Sequence, residues 1–404
     1  MRVLFIGGIF DSCHNPEVIR KTKTYVEYAA NNFQRKIIEG LKLNGVNVEV
    51  ISAPFVGAYP RAYSDLIFRG FNHRVIDKSG YRYVNFINLW GIRNFSRKRA
   101  IKKELDQFIA SKDSNKLILV YTPHTPFIEA ATYAKRKDPK IKICLVIPDL
   151  PQYMNLADKV SPVYKVLKRY DVNRFLNQSQ KADSFVLLTK YMRKPLKVNG
   201  RPYMVVEGIY EERSFKKTAK KNDTISIVYT GKLDRSFGIM NLVKAFSTMK
   251  DNRLRLIICG AGEERDNVVK AARDDHRILY KGQVSSDEAF QEIINGDILV
   301  NPRQNDSDYT KFSFPSKIID YLSTYNPVVA YKLDGMPKVY ENLLYFVPDN
   351  TIEALQKTIY KAINESLQNK EKRNSRIRVY LRNNLSKEHI GRSILELNNV
   401  RVDN

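Results

Sequence analysis

Three cysteines in 404 residues, an odd number spread over Cys13, Cys144 and Cys259, give no basis for a disulfide framework. The last two lie inside apolar, strand-like runs, as suits a reducing compartment. The five histidines are scattered without paired-ligand spacing, which argues against a metal site. No serine or cysteine stands on a Gly-x-Ser-x-Gly elbow, so a hydrolase triad has no support. The longest apolar runs, such as Val3–Phe10 and Cys144–Pro148, are far shorter than the roughly 18 residues that span a bilayer. The first is broken by two glycines and Asp11 and reads as an opening strand rather than a secretion signal. Short-period repeats and low-complexity tracts are also missing.

What is present is globular composition, 43% hydrophobic and 27% charged, in a chain too long for one ordinary core. Two domains are expected. From Arg2 to Glu207, apolar strand-like runs alternate with amphipathic stretches such as Tyr28–Asn44, Ile128–Arg136 and Val163–Gln180. The rhythm restarts at Ile225 and continues to a helix over Ile352–Lys370. Near-continuous apolar strands separated by helices indicate parallel sheets covered on both faces. The charged, strand-poor segment Glu207–Asp223 reads as a linker. Domains of 1–208 and 209–385 follow, and the apolar stripe Ile390, Ile394, Leu395 and Leu397 predicts a final helix within 386–404 that joins the first domain.

In a doubly wound sheet, ligands bind beyond the carboxyl ends of the strands. Three loops of the first domain end there: Gly7-Gly8 after the opening strand, Tyr121-Thr122-Pro123-His124-Thr125-Pro126, and Pro148-Asp149-Leu150-Pro151. A capping or surface histidine is the plain alternative for His124. In the second domain, Asn301–Ala330 carries Phe314-Pro315-Ser316-Lys317, with Pro315 suited to a helix start. Lysine is disfavoured in a first turn unless an anion reverses the local sign, and Ser316 and Lys317 would supplement the backbone amides around a phosphate. Asp320 shares their helix face, one turn on, where a carboxylate can accept from ribose hydroxyls. An ordinary Lys–Asp surface pair is the alternative. Gly231-Lys232-Leu233-Asp234-Arg235 forms a second basic, glycine-containing strand-end loop. Gly260-Ala261-Gly262 is half a dinucleotide fingerprint and weak alone.

Assembled, these residues make the chain resemble the family-4 retaining glycosyltransferases of the GT-B fold, particularly bacterial capsular and exopolysaccharide members. The resemblance covers nearly the whole length and is most specific at Tyr229–Phe246, Leu256–Glu264, Ile278–Val284 and Phe312–Ala330. It implies an α/β architecture of two Rossmann-like, doubly wound parallel-sheet domains facing across a cleft. It further implies acceptor binding by the first domain and nucleotide-sugar binding by the second. Asp320 stands where the family's ribose-binding acid is usually Glu, and the Gln283-Val284 strand end is implied to meet the nucleotide base. Phe312 occupies the place of a second family Glu that contacts the donor sugar, leaving Asp306 or Asp308 to take over. Phe237 likewise replaces the second cation of the basic loop, for which Arg235 or Lys317 would compensate. His124 falls at the family's cleft histidine and Gly8 at its phosphate-proximal turn. The implied reaction needs neither metal nor cofactor nor enzymic nucleophile, and Asp149 can take a proton.

The donor implied is a nucleoside-diphosphate sugar, UDP-linked first, with GDP and dTDP as alternatives. The acceptor implied is a polyprenyl-diphosphate-linked glycan. A net charge of +25 attracts anionic membranes or polyanions. Arg61–Arg74 and Arg93–Lys103 interleave cations with aromatic and aliphatic residues, which points to peripheral attachment at the inner face of the cell membrane from the cytoplasm. Two rival functions remain: a nucleotide-sugar 2-epimerase of the same fold, and a non-enzymatic polyanion-binding protein. Against specific nucleic-acid binding stands the lack of any recognised signature.

Overall fold

Short apolar runs, many of them followed by a helix, fold in the computed structural model into two parallel sheets. The structure describes residues 2–11, 14–24, 26–70, 81–113, 115–154, 161–218, 223–365 and 370–400. The chain divides into two compact units, one of Met1–Ile209 with Ser386–Asn404 and one of Tyr210–Leu385.

In chain order the first unit contains β1 (Arg2–Gly7), α1 (Asn15–Lys21), α2 (Tyr28–Leu43), β2 (Val48–Ser52), β3 (Ile67–Phe68), β4 (Tyr81–Tyr83) and β5 (Phe86–Ile87). There follow α3 (Arg93–Ala110), β6 (Lys116–Tyr121), α4 (Thr125–Lys137), β7 (Lys142–Ile147), α5 (Pro162–Ser179), β8 (Ser184–Leu187) and β9 (Tyr203–Val205). Its parallel sheet runs β4-β2-β1-β6-β7-β8-β9, while β3 and β5 form a separate two-stranded ribbon. The strand order reverses between β1 and β6. That switch point opens a crevice at the strands' carboxyl ends.

The second unit contains β10 (Ile225–Thr230), α6 (Ile239–Thr248), β11 (Leu254–Cys259), α7 (Arg265–Asp274), β12 (Ile278–Gly282) and α8 (Ser286–Asn295). It continues with β13 (Ile298–Asn301), α9 (Lys317–Ser323), β14 (Val328–Tyr331), β15 (Tyr345–Val347), α10 (Ile352–Glu365) and α11 (Lys370–Asn384). The order β12-β11-β10-β13-β14-β15 places its switch point between β10 and β13. Both sheets are lined by fully buried Val, Ile, Leu and Phe, as two-sided burial demands.

The segment read as a linker begins packed, with Glu207, Ile209 and Tyr210 buried and the Tyr210 amide bonded to the Leu385 carbonyl at 2.7 Å. The basic stretch at Lys370–Arg378 is a helix, α11, that buries Arg373, Ile377 and Leu381. Residues 219–222 and residues 71–74 of the Arg61–Arg74 stretch lie outside the described residues, as does Cys13.

The last helix, α12 (Lys387–Leu397), buries Ile390, Ile394 and Leu395 against the first unit's core. It crosses α2 with almost no side-chain spacer. A Cβ on Gly391 would lie 2.2 Å from the Gly40 carbonyl oxygen, and one on Gly40 would lie 2.1 Å from that of Lys387. Asn44 fastens the crossing, its amide donating to the Gly40 carbonyl at 2.8 Å and the Glu388 carbonyl at 2.9 Å. Glycine inside a helix costs about 1 kcal/mol relative to alanine, so Gly391→Ala gains propensity. The backbone clash outweighs that gain. We expect Gly391→Ala to destabilise the protein by about 1–3 kcal/mol and lower its melting temperature; an unchanged or higher temperature would show that the helices can separate without loss.

Candidate functional site

In the first unit, the loops after β1 and β6 meet through Phe55, which follows β2. Its amide donates to the Gly8 carbonyl at 3.1 Å, and its ring lies where any side chain on Gly8 would have to go, 2.2 Å from an added Cβ. The same ring stacks on His124 with centroids 4.4 Å apart and on Phe127 at 5.9 Å, and it approaches Tyr121 at 5.9 Å. The Gly8 amide donates to Gln34 Oε1 at 2.9 Å, fixing the turn. Gly8 and His124 are thus brought together at the switch point. Asp149 follows β7 on the same edge, close enough that its charge, after burial, helps raise the Tyr121 phenol. A further acid and imidazole sit beyond β1. His14 Nδ1 is 2.6 Å from Asp11 Oδ1, and the Tyr83 hydroxyl donates to Asp11 Oδ2 at 3.0 Å. Sequence reasoning passed over this group and Phe55, because neither lies in a motif.

The basic stretch at the start of α3 is not uniformly available. Arg97 is only 2% exposed, its guanidinium 4.3 Å from the Phe86 ring, and its Nη2 donates to the Pro54 carbonyl at 2.8 Å. Its Nε, buried, has no partner. That removes Arg97 from the cations expected to meet lipid. Lys98 pairs with Glu129 at 3.2 Å. Arg93, one turn before Arg97, donates to the Val56 carbonyl at 3.2 Å. Among the described residues neither Arg93 nor Arg97 has a carboxylate partner. Burial, with the charges of Arg97 and Arg93 adding to it, pushes the His124 imidazole down to about 3. It is therefore neutral at physiological pH and can offer one donor and one acceptor.

In the second unit the carboxyl edge is closed by backbone contacts that only glycine permits. A Cβ on Gly260, whose φ is +148°, would lie 1.8 Å from the Gly231 carbonyl oxygen. The loop after β10 carries Gly231, Lys232 and Arg235, and the Tyr229 hydroxyl donates to the Lys232 carbonyl at 2.5 Å. Buried Tyr321 joins this strand end to α9, its hydroxyl accepting from the Thr230 amide at 3.0 Å. Phe314 is buried at 5.3 Å from Tyr340 and anchors the approach to α9. Pro315 accepts from the Ile318 amide at 2.9 Å and so shapes the helix start. Ser316 stands at the N-cap position of α9 without a side-chain capping bond, and Lys317 and Asp320 form a half-exposed pair at 4.0 Å.

Other candidates are placed less simply. Arg235 donates Nε to Glu264 at 2.7 Å, so its charge is partly met by a nearly buried acid. Gln283 is exposed and Val284 half-buried just beyond β12. Asp306 and Asp308 are both exposed in the loop after β13. Asp308 pairs with Lys311 at 2.9 Å, and that lysine lowers its pKa. Phe312 is buried at 8% exposure, as an aromatic rather than an acid should be. Arg303, which sequence reasoning missed, follows β13 at the switch point. Its guanidinium carbon is 5.5 Å from the Phe237 ring centroid and 5.4 Å from that of Tyr309. The loops after β10 and β13 touch here, since a Cβ on Gly238 would lie 2.1 Å from the Pro302 carbonyl oxygen.

Solved structures share this fold along almost their whole length. A glycosyltransferase from Rickettsia africae ESF-5 is 13% identical with a TM-score of 0.64, the match covering 98% of this chain and 97% of that one. Anabaena Alr3699/HepE in complex with UDP is 12% identical with a TM-score of 0.61, over 99% and 100%. The apo lipopolysaccharide outer core galactosyltransferase WaaB is 12% identical, TM-score 0.61, over 98% and 99%. The chain has the GT-B fold. Residues 211–383 of this GT-B chain match the family model for glycosyl transferases group 1, and fold and family together support a glycosyltransferase. No curated protein matches the chain. The matched residues include the second unit's candidates from Gly231 to Asp320.

The buried imidazole gives a pH test. The unfolded chain takes up a proton on histidine near 6.5, while folded His124 does so only near 3, so stability is lost as pH falls through that interval and is complete above it. Against His124→Phe, the wild-type melting temperature should fall progressively between about pH 6.5 and about pH 4. A difference independent of pH would show that the imidazole titrates normally.

Proposed function

We propose that the protein is a retaining, metal-independent glycosyltransferase that moves a sugar from a nucleoside-diphosphate sugar to a polyprenyl-diphosphate-linked glycan in capsular, exopolysaccharide or other surface polysaccharide synthesis. The carrying observation is the second unit's carboxyl edge, where the Thr230–Tyr321 bond holds the Lys232 loop against the helix bearing Ser316, Lys317 and Asp320. Asp320 accepts from the ribose hydroxyls. Lys232, Lys317 and Ser316 meet the diphosphate, and Arg303 stands beside Phe237, where the family's second cation is missing. Gln283 and Val284 flank the base, and Asp306 or Asp308 contacts the donor sugar. A UDP-sugar is the first donor to test, since HepE was solved with UDP.

The first unit supplies the acceptor's groups. Arg97, buried, and Arg93, partly buried, have no carboxylate against either among the described residues and would meet the acceptor's diphosphate, because uncompensated buried charge is costly. Neutral His124 orients a hydroxyl. The acceptor oxygen bonds to the anomeric carbon as the bond from that carbon to the diphosphate oxygen breaks. The acceptor's proton passes to the departing phosphate or to Asp149, and fixed cations stabilise the charge that develops. WaaB, named as a lipopolysaccharide outer core galactosyltransferase, is consistent with a surface-glycan acceptor.

Transfer assays over UDP-, GDP- and dTDP-sugars, with and without polyprenyl-diphosphate-linked acceptors, test this directly. Hydrolysis or transfer is expected with one donor base, and turnover should rise with the lipid-linked acceptor; inertness with every donor would overturn it. Charge-assisted bonds to a carboxylate contribute about 1.5–3 kcal/mol. Asp320→Ala should accordingly weaken binding of the correct nucleotide by roughly tenfold or more. Lys232→Ala and Arg303→Ala should weaken the nucleoside diphosphate while barely changing the nucleoside. Equal losses for both ligands in calorimetry would remove the phosphate role.

A further inference from the structure

The ribbon of β3 and β5 pairs Ile67 with Ile87 and Phe68 with Phe86. Neighbouring residues on a strand point to opposite faces, so this ribbon is apolar on both. Its inner face is packed: Phe68 and Phe86 stack at 4.9 Å, Tyr63 closes on Phe68 at 6.3 Å, and Arg97 lies over Phe86. Among the described residues its outer face has no cover. Ile67 is 46% exposed and Ile87 42%, and the turn into α3 extends the surface with Leu89, Trp90, Ile92 and Phe95, of which Trp90 and Phe95 are 60% and 61% exposed.

The exposure does not reflect a loose segment. The Asn88 amide donates to the Leu66 carbonyl at 2.7 Å, that of Tyr59 to the Asn88 carbonyl at 2.9 Å and that of Ile87 to Ser96 Oγ at 2.9 Å. The Arg93 amide bonds the Leu89 carbonyl at 2.9 Å and closes the turn. Apolar residues on a monomer's surface are normally scattered singly, and a contiguous group marks an interaction face. The rim decides what it meets. Arg61, Arg69 and Arg99 are exposed around it, and Leu89–Lys103 contains no acidic residue. A second copy would bring the same positive rim and be repelled, whereas an anionic surface is attracted. Tryptophan, an amphipathic ring, favours the level of lipid headgroups.

We propose that this face docks on an anionic lipid bilayer, with Trp90 and Phe95 entering the headgroup region and Arg61, Arg69 and Arg99 lying on lipid phosphates. The assignment adds a seat to the proposed use of a lipid-linked acceptor and rests on that reading for its purpose alone. Its test contains no donor or acceptor, so failure here leaves the transfer reaction standing, and failure of transfer leaves the seat standing.

Trp90 is the chain's one tryptophan and reports directly. With the full-length wild-type protein, vesicles of phosphatidylglycerol and phosphatidylcholine should shift its emission to the blue and shield it from acrylamide. Pure phosphatidylcholine should do neither. Sedimentation with the anionic vesicles should fall by about tenfold in Phe95→Ser and in the Arg61→Gln, Arg69→Gln, Arg99→Gln triple variant, both retaining the wild-type melting temperature, and should fall with salt. Emission unchanged by anionic vesicles overturns the proposal. So does a blue shift that follows protein concentration without lipid, which would assign the face to a second copy.

Discussion

A parallel sheet covered by helices on both faces leaves polar backbone unpaired along its two edge strands and where strands stop. That constraint governs both units. The candidate ligand groups of both sheets stand at the carboxyl edges, near the point where strand order reverses. In the first unit this point lies between β1 and β6, with Gly8 and His124 on the two sides and Phe55 wedged between their loops. In the second it lies between β10 and β13, where the Gly238 backbone approaches Pro302 so closely that a side chain is excluded.

The same constraint explains the charge distribution around the edges. Burying a cation without an acid is expensive, so such cations persist where something else compensates. Arg97 keeps its guanidinium on an aromatic face and one carbonyl, an arrangement that favours a delocalised cation without neutralising it. Arg235, in contrast, is held by Glu264 and contributes as much to closing its loop as to any ligand. Positive charge near a site is thus of two kinds, and only the surroundings distinguish them.

This distinction also marks how far the sequence could be read. Strands such as Ile225–Thr230 and Leu254–Cys259 announce themselves because two-sided burial makes them continuously apolar, and Gly231, Lys232, Ser316 and Asp320 stand at strand and helix ends that local pattern identifies. Elements held by few apolar contacts were silent. The helix α11 is so polar that its three buried positions do not stand out as a stripe, and the two-residue strands β3 and β5 are too short to show a period. Partners across sequence were silent too. Nothing near Arg97 in sequence says that Pro54 and Phe86 enclose it, and nothing near Gly8 points to Phe55.

The return of α12 to the first unit makes the second unit an insertion: residues 210–385 leave and re-enter a body begun by β1. During synthesis, the face of α2 that receives Ile390 and Ile394 must wait while the whole second unit emerges and can fold by itself. The interval leaves an apolar helix face open longest in the part of the protein made first. Moving α12 by circular permutation, to stand ahead of β1, would let the first core close before the second is made, and would turn an interrupted folding unit into a contiguous one.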